Sequence, residues 1–300
     1  MENITIVSIL SGVRLDVYLA DFLNLTRSNC TKLINNGSVY VNSKKCKPSY
    51  KVSEGDRIIV AVPVPEPEIL KPQKIDLEVI LDAKNYCVIN KPAGMVVHPA
   101  TGNYEDTAVN WLIYKYNVKD ADDLRPGVVH RLDKDTSGLL IMAKDQNTKE
   151  LFAKMFKERN IVKKYSAICY GRPDWDEVVV EKPIRRHPVN RKKMFVSNEQ
   201  GRHAKTKVSV LERFKNAFLA DVTIYTGRTH QIRVHACFMN HPVIGDKLYN
   251  NKSSLKFPVG RQALHASYLE FADPFSGKII TLSSDIPMDM KKLLEYLREY

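Results

Sequence analysis

Residues 63–74, PVPEPEILKPQK, interleave four prolines with charged side chains. Proline fixes φ and lacks an N–H, so neither a helix interior nor a central strand runs through such a stretch, which stays extended and semi-rigid. Two units are therefore expected: a small one over residues 1–62 and a large one over residues 75–300, with residues 63–74 as a linker.

Composition narrows what these units can be. With 300 residues, 44% hydrophobic and 27% charged, the chain has ordinary globular content, which excludes disorder, collagen and a small disulfide scaffold. Cys30, Cys46, Cys87, Cys169 and Cys237 are odd in number and form no C-x-x-C pair, so neither a disulfide framework nor a thiolate zinc site is written here. The opening MENITIVSILSG has an acidic residue where a signal peptide needs cations, and no run reaches the ~18 apolar residues of a membrane span. A reduced, cytoplasmic setting without a membrane partner is expected. A formal net charge of +12 favours a polyanionic partner, with nucleic acid foremost.

In the small unit, Leu15, Leu19, Phe22 and Leu23 fall at helical spacing, and Thr26 is placed to cap a second helix carrying Cys30, Leu33 and Ile34. Asn36-Gly37 ends it. VYVN, SYKV and RIIVAV then read as strands, with turns at Ser43-Lys44 and at Glu54-Gly55-Asp56. Arg14, Arg27 and Lys32 on the helices, with Lys44, Lys45, Lys47 and Lys51 in and after the hairpin, outline a phosphate-binding face. The same pattern also describes a solvated helix surface beside a lysine-guarded strand edge. Residues 12–62 resemble the small RNA-binding domain of the ribosomal-protein alpha-L type, which implies affinity for RNA rather than chemistry.

Beyond the linker, strand-length apolar runs (LEVIL, YCVIN, VVHRL, LLIMA, KYSAICY, KVSVLERF, FLADVTIY, ASYLEF, IITLS) outnumber helical stretches near 108–116, 147–157, 230–239 and 287–299. Helices and strands do not alternate regularly. The expected class is α+β, with helices flanking a largely antiparallel or mixed sheet. No G-x-G-x-x-G or P-loop is present, so no nucleotide cofactor is expected.

The densest chemical cluster lies in RPGVVHRLDKDTSGLLIMAKD, residues 125–145, where His130, Arg131, Asp133, Asp135, Thr136 and Ser137 separate two apolar runs. A core hairpin does not need so many polar residues between VV and LLIM, so the insert is read as lining a cleft; a capped, charged turn is the other reading. NKPAGMVVHP (90–99), KKYSAICYG (163–171) and TGRTHQIRVH (226–235) each add a basic residue to strand or helix material. Thr229 is expected to cap a helix whose Arg233 points inward, and a buried guanidinium needs a carboxylate, for which Asp133 is the candidate. Taken singly, Tyr165 also reads as a core aromatic, Arg233 as a structural ion pair and Asp133 as an Asx-turn residue. Asp133 and Asp135 near several histidines suggest a metal site only weakly. His230 and His235 are five apart rather than four, and no metal is expected.

Together these four segments resemble the RluA-type pseudouridine synthases over residues 76 to about 285, most specifically through HRLDKDTSGLL followed by GRTHQIRVH. HPVNRKKMFV (187–196), HPVIGDKLY (241–249) and LHASYLEF (264–271) also look like that family, nearest to its members acting on large-subunit ribosomal RNA. The resemblance implies isomerisation of uridine within RNA without a cofactor: the glycosidic bond breaks, the held base turns, and ring carbon 5 bonds the ribose. It implies that Asp133 is the essential aspartate, acting as nucleophile or as base, with Arg233 as its partner. Tyr165 would then stack on the uracil, Arg131 would wedge into the RNA, and His130 and Arg228 would contact it. A monomer is favoured. Other ribosomal sites or transfer RNA are the alternative targets, and a ribosome-assembly protein that only grips RNA is the alternative function.

Overall fold

The computed structural model describes residues 2–23, 25–62, 70–99, 103–118, 125–198, 200–250 and 257–299. Contacts divide the chain between Ile69 and Leu70 into two units. Residues 63–69 of the expected linker lie outside the described residues.

The first unit runs β1 (Glu2–Val7), α1 (Leu15–Phe22), α2 (Arg27–Asn35), β2 (Val39–Val41), β3 (Lys44–Lys45) and β4 (Arg57–Val62), with an antiparallel sheet in the order β1-β4-β2-β3. Leu15 and Leu19 of α1 and Cys30 and Ile34 of α2 pack on Val39, Val41, Ile58 and Val60. The Thr26 hydroxyl accepts from the Asn29 N–H, as expected of an N-cap.

Three local expectations need correction. Strand β1 was missed, although Ile4 and Ile6 alternate with Asn3 and Thr5 in a way a half-buried strand requires. SYKV does not form a strand: backbone carbonyls in and beside it are taken by the first turn of α1, with Leu15 N–H donating to Tyr50 O and Asp16 N–H to Pro48 O. The hairpin turn falls at Asn42-Ser43, both left-handed (φ 48° and 65°), one residue earlier than expected.

The second unit contains β5 (Val79–Asp82), β6 (Tyr86–Lys91), α3 (Ala108–Tyr116), β7 (Ser137–Ala143), α4 (Gln146–Glu158), β8 (Ile161–Tyr170), β9 (Glu177–Glu181), β10 (Ile184–Arg186) and β11 (Met194–Val196). It continues with β12 (Lys205–Arg213), β13 (Ala217–Ile224), α5 (Gln231–Phe238), β14 (Leu264–Ala272), β15 (Ile279–Ser283) and α6 (Met288–Glu299). Nine strands form one sheet in the order β5-β6-β7-β14-β8-β13-β12-β9, with β15 added on β14. Every pairing in it is antiparallel except β7 with β14, so the sheet is mixed and the class is α+β, as read from the sequence.

The continuous apolar runs YCVIN and LLIMA follow from burial on both faces. Cys87, Ile89, Leu140 and Met142 face Trp111 and Leu112 of α3 and Leu293 and Leu297 of α6; Tyr86, Val88, Leu139 and Ile141 face Phe152 of α4 and Phe271 of β14. Each such side chain contributes about 1.5–3 kcal/mol by leaving water. VVHRL, read as a strand, is a loop. Only Val128 bridges to Met142, and the rest of the segment departs from the sheet just before β7.

Candidate active site

The loop entering β7 is built around Asp133. Its backbone carbonyl closes a turn with the Thr136 N–H at 3.1 Å, which leaves the carboxylate to reach elsewhere. Three buried groups fix this loop. The Lys91 ammonium donates to the carbonyls of Pro92 (2.8 Å), Met95 (2.9 Å) and Lys134 (3.1 Å). Arg261 donates to the Asp135 carbonyl at 3.0 Å and the Ser137 hydroxyl at 3.3 Å while pairing with Asp289 of α6. Gln262 reaches the Thr136 hydroxyl at 3.4 Å. Burial draws the Lys91 pKa down to about 7, and the nearby Asp135 charge opposes that shift.

Arg233 projects inward from α5 and is held from two sides. Its Nη1 donates to Asp133 Oδ2 at 2.8 Å, while Nε and Nη2 grip Asp246 at 2.6 and 3.0 Å. Asp246 is fully buried and also accepts from the N–H groups of Leu248 and Tyr249. The preceding Gly245 has φ +76°, and any Cβ there would overlap the Arg261 carbonyl oxygen, so only glycine admits this approach. Burial alone would lower the Arg233 pKa, but the Asp246 and Asp133 carboxylates outweigh it and raise it.

Around this pair stand His230, Tyr249 and Tyr165. His230 Nδ1 lies 2.8 Å from the Tyr249 hydroxyl, which accepts from the Met194 N–H, and His230 Nε2 lies 3.9 Å from Asp133 Oδ2. The expected cap on α5 is absent. The N-cap position is His230, left-handed at φ 55° and without a side-chain cap bond, while the Gln231 side chain ties down the preceding turn by accepting from the Arg228 N–H and the Thr226 hydroxyl. Tyr165 is buried on β8, and its hydroxyl pKa is raised by burial and then by the Asp133 charge.

Asp133, Tyr165, Arg233, His130, Arg131 and Arg228 all line one cleft of about 510 Å³. Arg131 is exposed, whereas the His130 ring is turned inward. Its Nε2 accepts from the Ile141 N–H at 2.9 Å, and burial takes its pKa down to about 3. Arg228 donates to the His203 carbonyl, and its pKa is lowered by burial and by Arg202 and Arg159 beside it. In the first unit, Arg14 and Arg27 both donate to the buried Asp16, at 3.0 and 2.8 Å. The Arg14 hydrogen bond leads in holding the Asp16 pKa at about 2, against the opposing effect of burial. Lys44, Lys45 and Lys47 are exposed, as is Lys32 on α2.

The sequence reading named Asp133 as the partner of Arg233 and missed Asp246, Lys91 and Arg261. A guanidinium has five donors and one carboxylate cannot satisfy them, which was the available signal for a second acid in HPVIGDKLY.

The buried guanidinium is held between two acids at a cleft with an aromatic ring beside it and cations at its rim, an arrangement suited to a polyanionic substrate. Residues 85–237 match the RNA pseudouridylate synthase family and residues 13–58 match the S4 domain. The chain belongs to the RluA-type RNA pseudouridine synthases and is an isomerase of RNA. It is 39% identical over 312 residues to the ribosomal large subunit pseudouridine synthase D of Zymomonas mobilis, spanning 99% of this chain and 97% of that one. It is 37% identical to the uncharacterized RNA pseudouridine synthase YlyB of Bacillus subtilis, over 95% of this chain and 94% of that one. Among solved structures, human RNA pseudouridylate synthase domain containing 4 superposes with a TM-score of 0.59 at 26% identity, covering 74% of this chain and 93% of that one.

Proposed function

We propose that this enzyme converts uridines of large-subunit ribosomal RNA to pseudouridine, and that Asp133 is the residue that acts on the ribose. The observation that carries this reading is the 2.8 Å pair between Asp133 and Arg233 within the cleft. Arg233 occupies Oδ2, and among the described residues Oδ1 has no hydrogen-bond donor. That oxygen is left to address the substrate. It either bonds the anomeric carbon as the glycosidic bond breaks or takes the 2′ proton of the ribose, and both routes need an acid held at a fixed angle.

Tyr165 offers a buried face on which the everted uracil stacks, and Arg131, exposed at the cleft, fills the gap the base leaves in the RNA. The isomerisation is redox-neutral and takes no atom from outside the nucleoside, so the reading includes no cofactor. The ribosomal target rests on the activity for which the relatives are named, and the S4 domain supports RNA as the partner.

Nucleoside analysis of unmodified ribosomal transcript tests the role of Asp133. Wild-type protein is expected to yield pseudouridine, and Asp133→Asn to lose at least about 10²-fold in rate while keeping RNA affinity. Equal yield from the two proteins overturns the assignment. Mapping of pseudouridine in cells with and without the enzyme tests the target: sites confined to transfer RNA would remove the ribosomal assignment and leave the isomerisation standing.

A further inference from the structure

Lys163 sits on the wall of the same cleft, two residues before Tyr165 on β8, so both side chains leave the same face of the strand. It is only 8% exposed. Among the described residues no carboxylate pairs with its ammonium and no acceptor takes a hydrogen bond from it; what it meets is the ring of Phe156, 5.1 Å away on α4. The other buried cations here are satisfied: Lys91 by three carbonyls, Arg233 by two carboxylates, Arg261 by Asp289 and four further oxygens. Burying a charge without a partner is costly, and folded chains rarely tolerate it. Lys163 is therefore a position where the protein alone is incomplete.

What completes it is anionic or strongly hydrogen-bond accepting, and it lies deep beside the stacking tyrosine. Phosphates have cations of their own at the rim, where Arg131, Lys157, Arg159 and Arg202 are exposed. Burial brings the Lys163 pKa down to about 8, which leaves the ammonium form predominant at neutral pH. His130, on which its charge acts, is itself kept neutral by burial.

We propose that Lys163 is a catalytic residue that donates a hydrogen bond to an exocyclic oxygen of the target pyrimidine and stabilises the negative charge which that base gains on leaving the ribose. This rests on the pseudouridine synthase reading above. When the N1–C1′ bond breaks, its electron pair stays on the pyrimidine and spreads to the exocyclic oxygens. A C5–C1′ bond then forms, the C5 proton is lost and N1 regains one. Lys163 keeps its protons throughout; its contribution is electrostatic, and loss of one such preorganised donor costs about 10²–10³ in rate.

Lys163→Met and Lys163→Arg, compared with wild type on an unmodified large-subunit ribosomal transcript, test this through single-turnover rates at saturating RNA, RNA Kd at two salt concentrations, and Tm. Lys163→Met is expected to lose about 10²-fold in single-turnover rate, change Kd by less than about 3-fold, and melt no lower than wild type, because it removes an uncompensated buried charge. Lys163→Arg is expected to restore most of the rate. A Lys163→Met rate within about 3-fold of wild type overturns the proposal, as does a loss confined to Kd with a shallower salt slope, which would mark a phosphate contact. A lowered Tm with no rescue by arginine would mark a structural lysine and also overturns it. Wild-type protein that makes no pseudouridine would instead overturn the underlying reading.

Discussion

Asp246 and Asp133 hold the same guanidinium but differ in what their loss exposes. Asp246 is fully buried and bidentate, with two backbone N–H groups on its Oδ1, whereas Asp133 is 17% exposed and makes one bond to Arg233. Breaking a buried pair leaves an uncompensated charge and costs about 3–5 kcal/mol. Asp246→Asn is therefore expected to lower stability by about 3 kcal/mol and to reduce activity through a displaced Arg233, while Asp133→Asn shifts stability by about 1 kcal/mol or less because Arg233 keeps Asp246. Urea unfolding of both variants checks this, and coincident midpoints would contradict it. Asp133 was legible in the sequence because it sits in a polar insert that a core does not need, and Arg233 because an inward-pointing guanidinium on a helix demands a carboxylate. Asp246 was not, since a single acid after Ile244 and Gly245 reads as an ordinary turn until its depth is known.

Among the elements, the parallel seam between β7 and β14 is where the site loop meets the sheet. Gly138 lies opposite Ala266 with φ +111°, and a Cβ there would run into the Ala266 backbone. Gly138→Ala is expected to destabilise by about 2–6 kcal/mol, combining ~1–3 kcal/mol of backbone strain with ~1–3 kcal/mol of overpacking. Thermal unfolding near the wild-type Tm would show instead that the seam relaxes freely around the added methyl. Such strands were readable because burial on both faces writes long apolar runs. VVHRL and SYKV also carry β-branched or aromatic residues, yet form no strand. Apolar content reports burial but not hydrogen-bond partners, and around SYKV those partners belong to α1. Strand β1 is harder to read for the opposite reason: its alternation rests on Ile4 and Ile6 alone, and its partner β4 lies fifty or more residues away in sequence.

For the whole molecule, a net charge of +12 is carried by two units that both have reason to meet RNA. Covalent linkage makes binding of the second unit intramolecular and adds effective concentration. Removal of residues 1–62 is expected to weaken RNA binding and to reduce the salt slope of log K by about 0.7–0.9 for each phosphate that the shortened protein no longer neutralises. Affinity measured across a salt series checks it; an unchanged slope would mean that the S4 domain neutralises no phosphates. The distribution of the site along the chain has a different consequence. Arg233 follows Asp133 by 100 residues, and Arg261, which ties down the Asp135 carbonyl 126 residues upstream, is itself gripped by Asp289 of α6. During translation Asp133 emerges 100 residues ahead of the guanidinium that pairs with it and further still ahead of Asp289, so the complete site is assembled only after most of the second unit has been made.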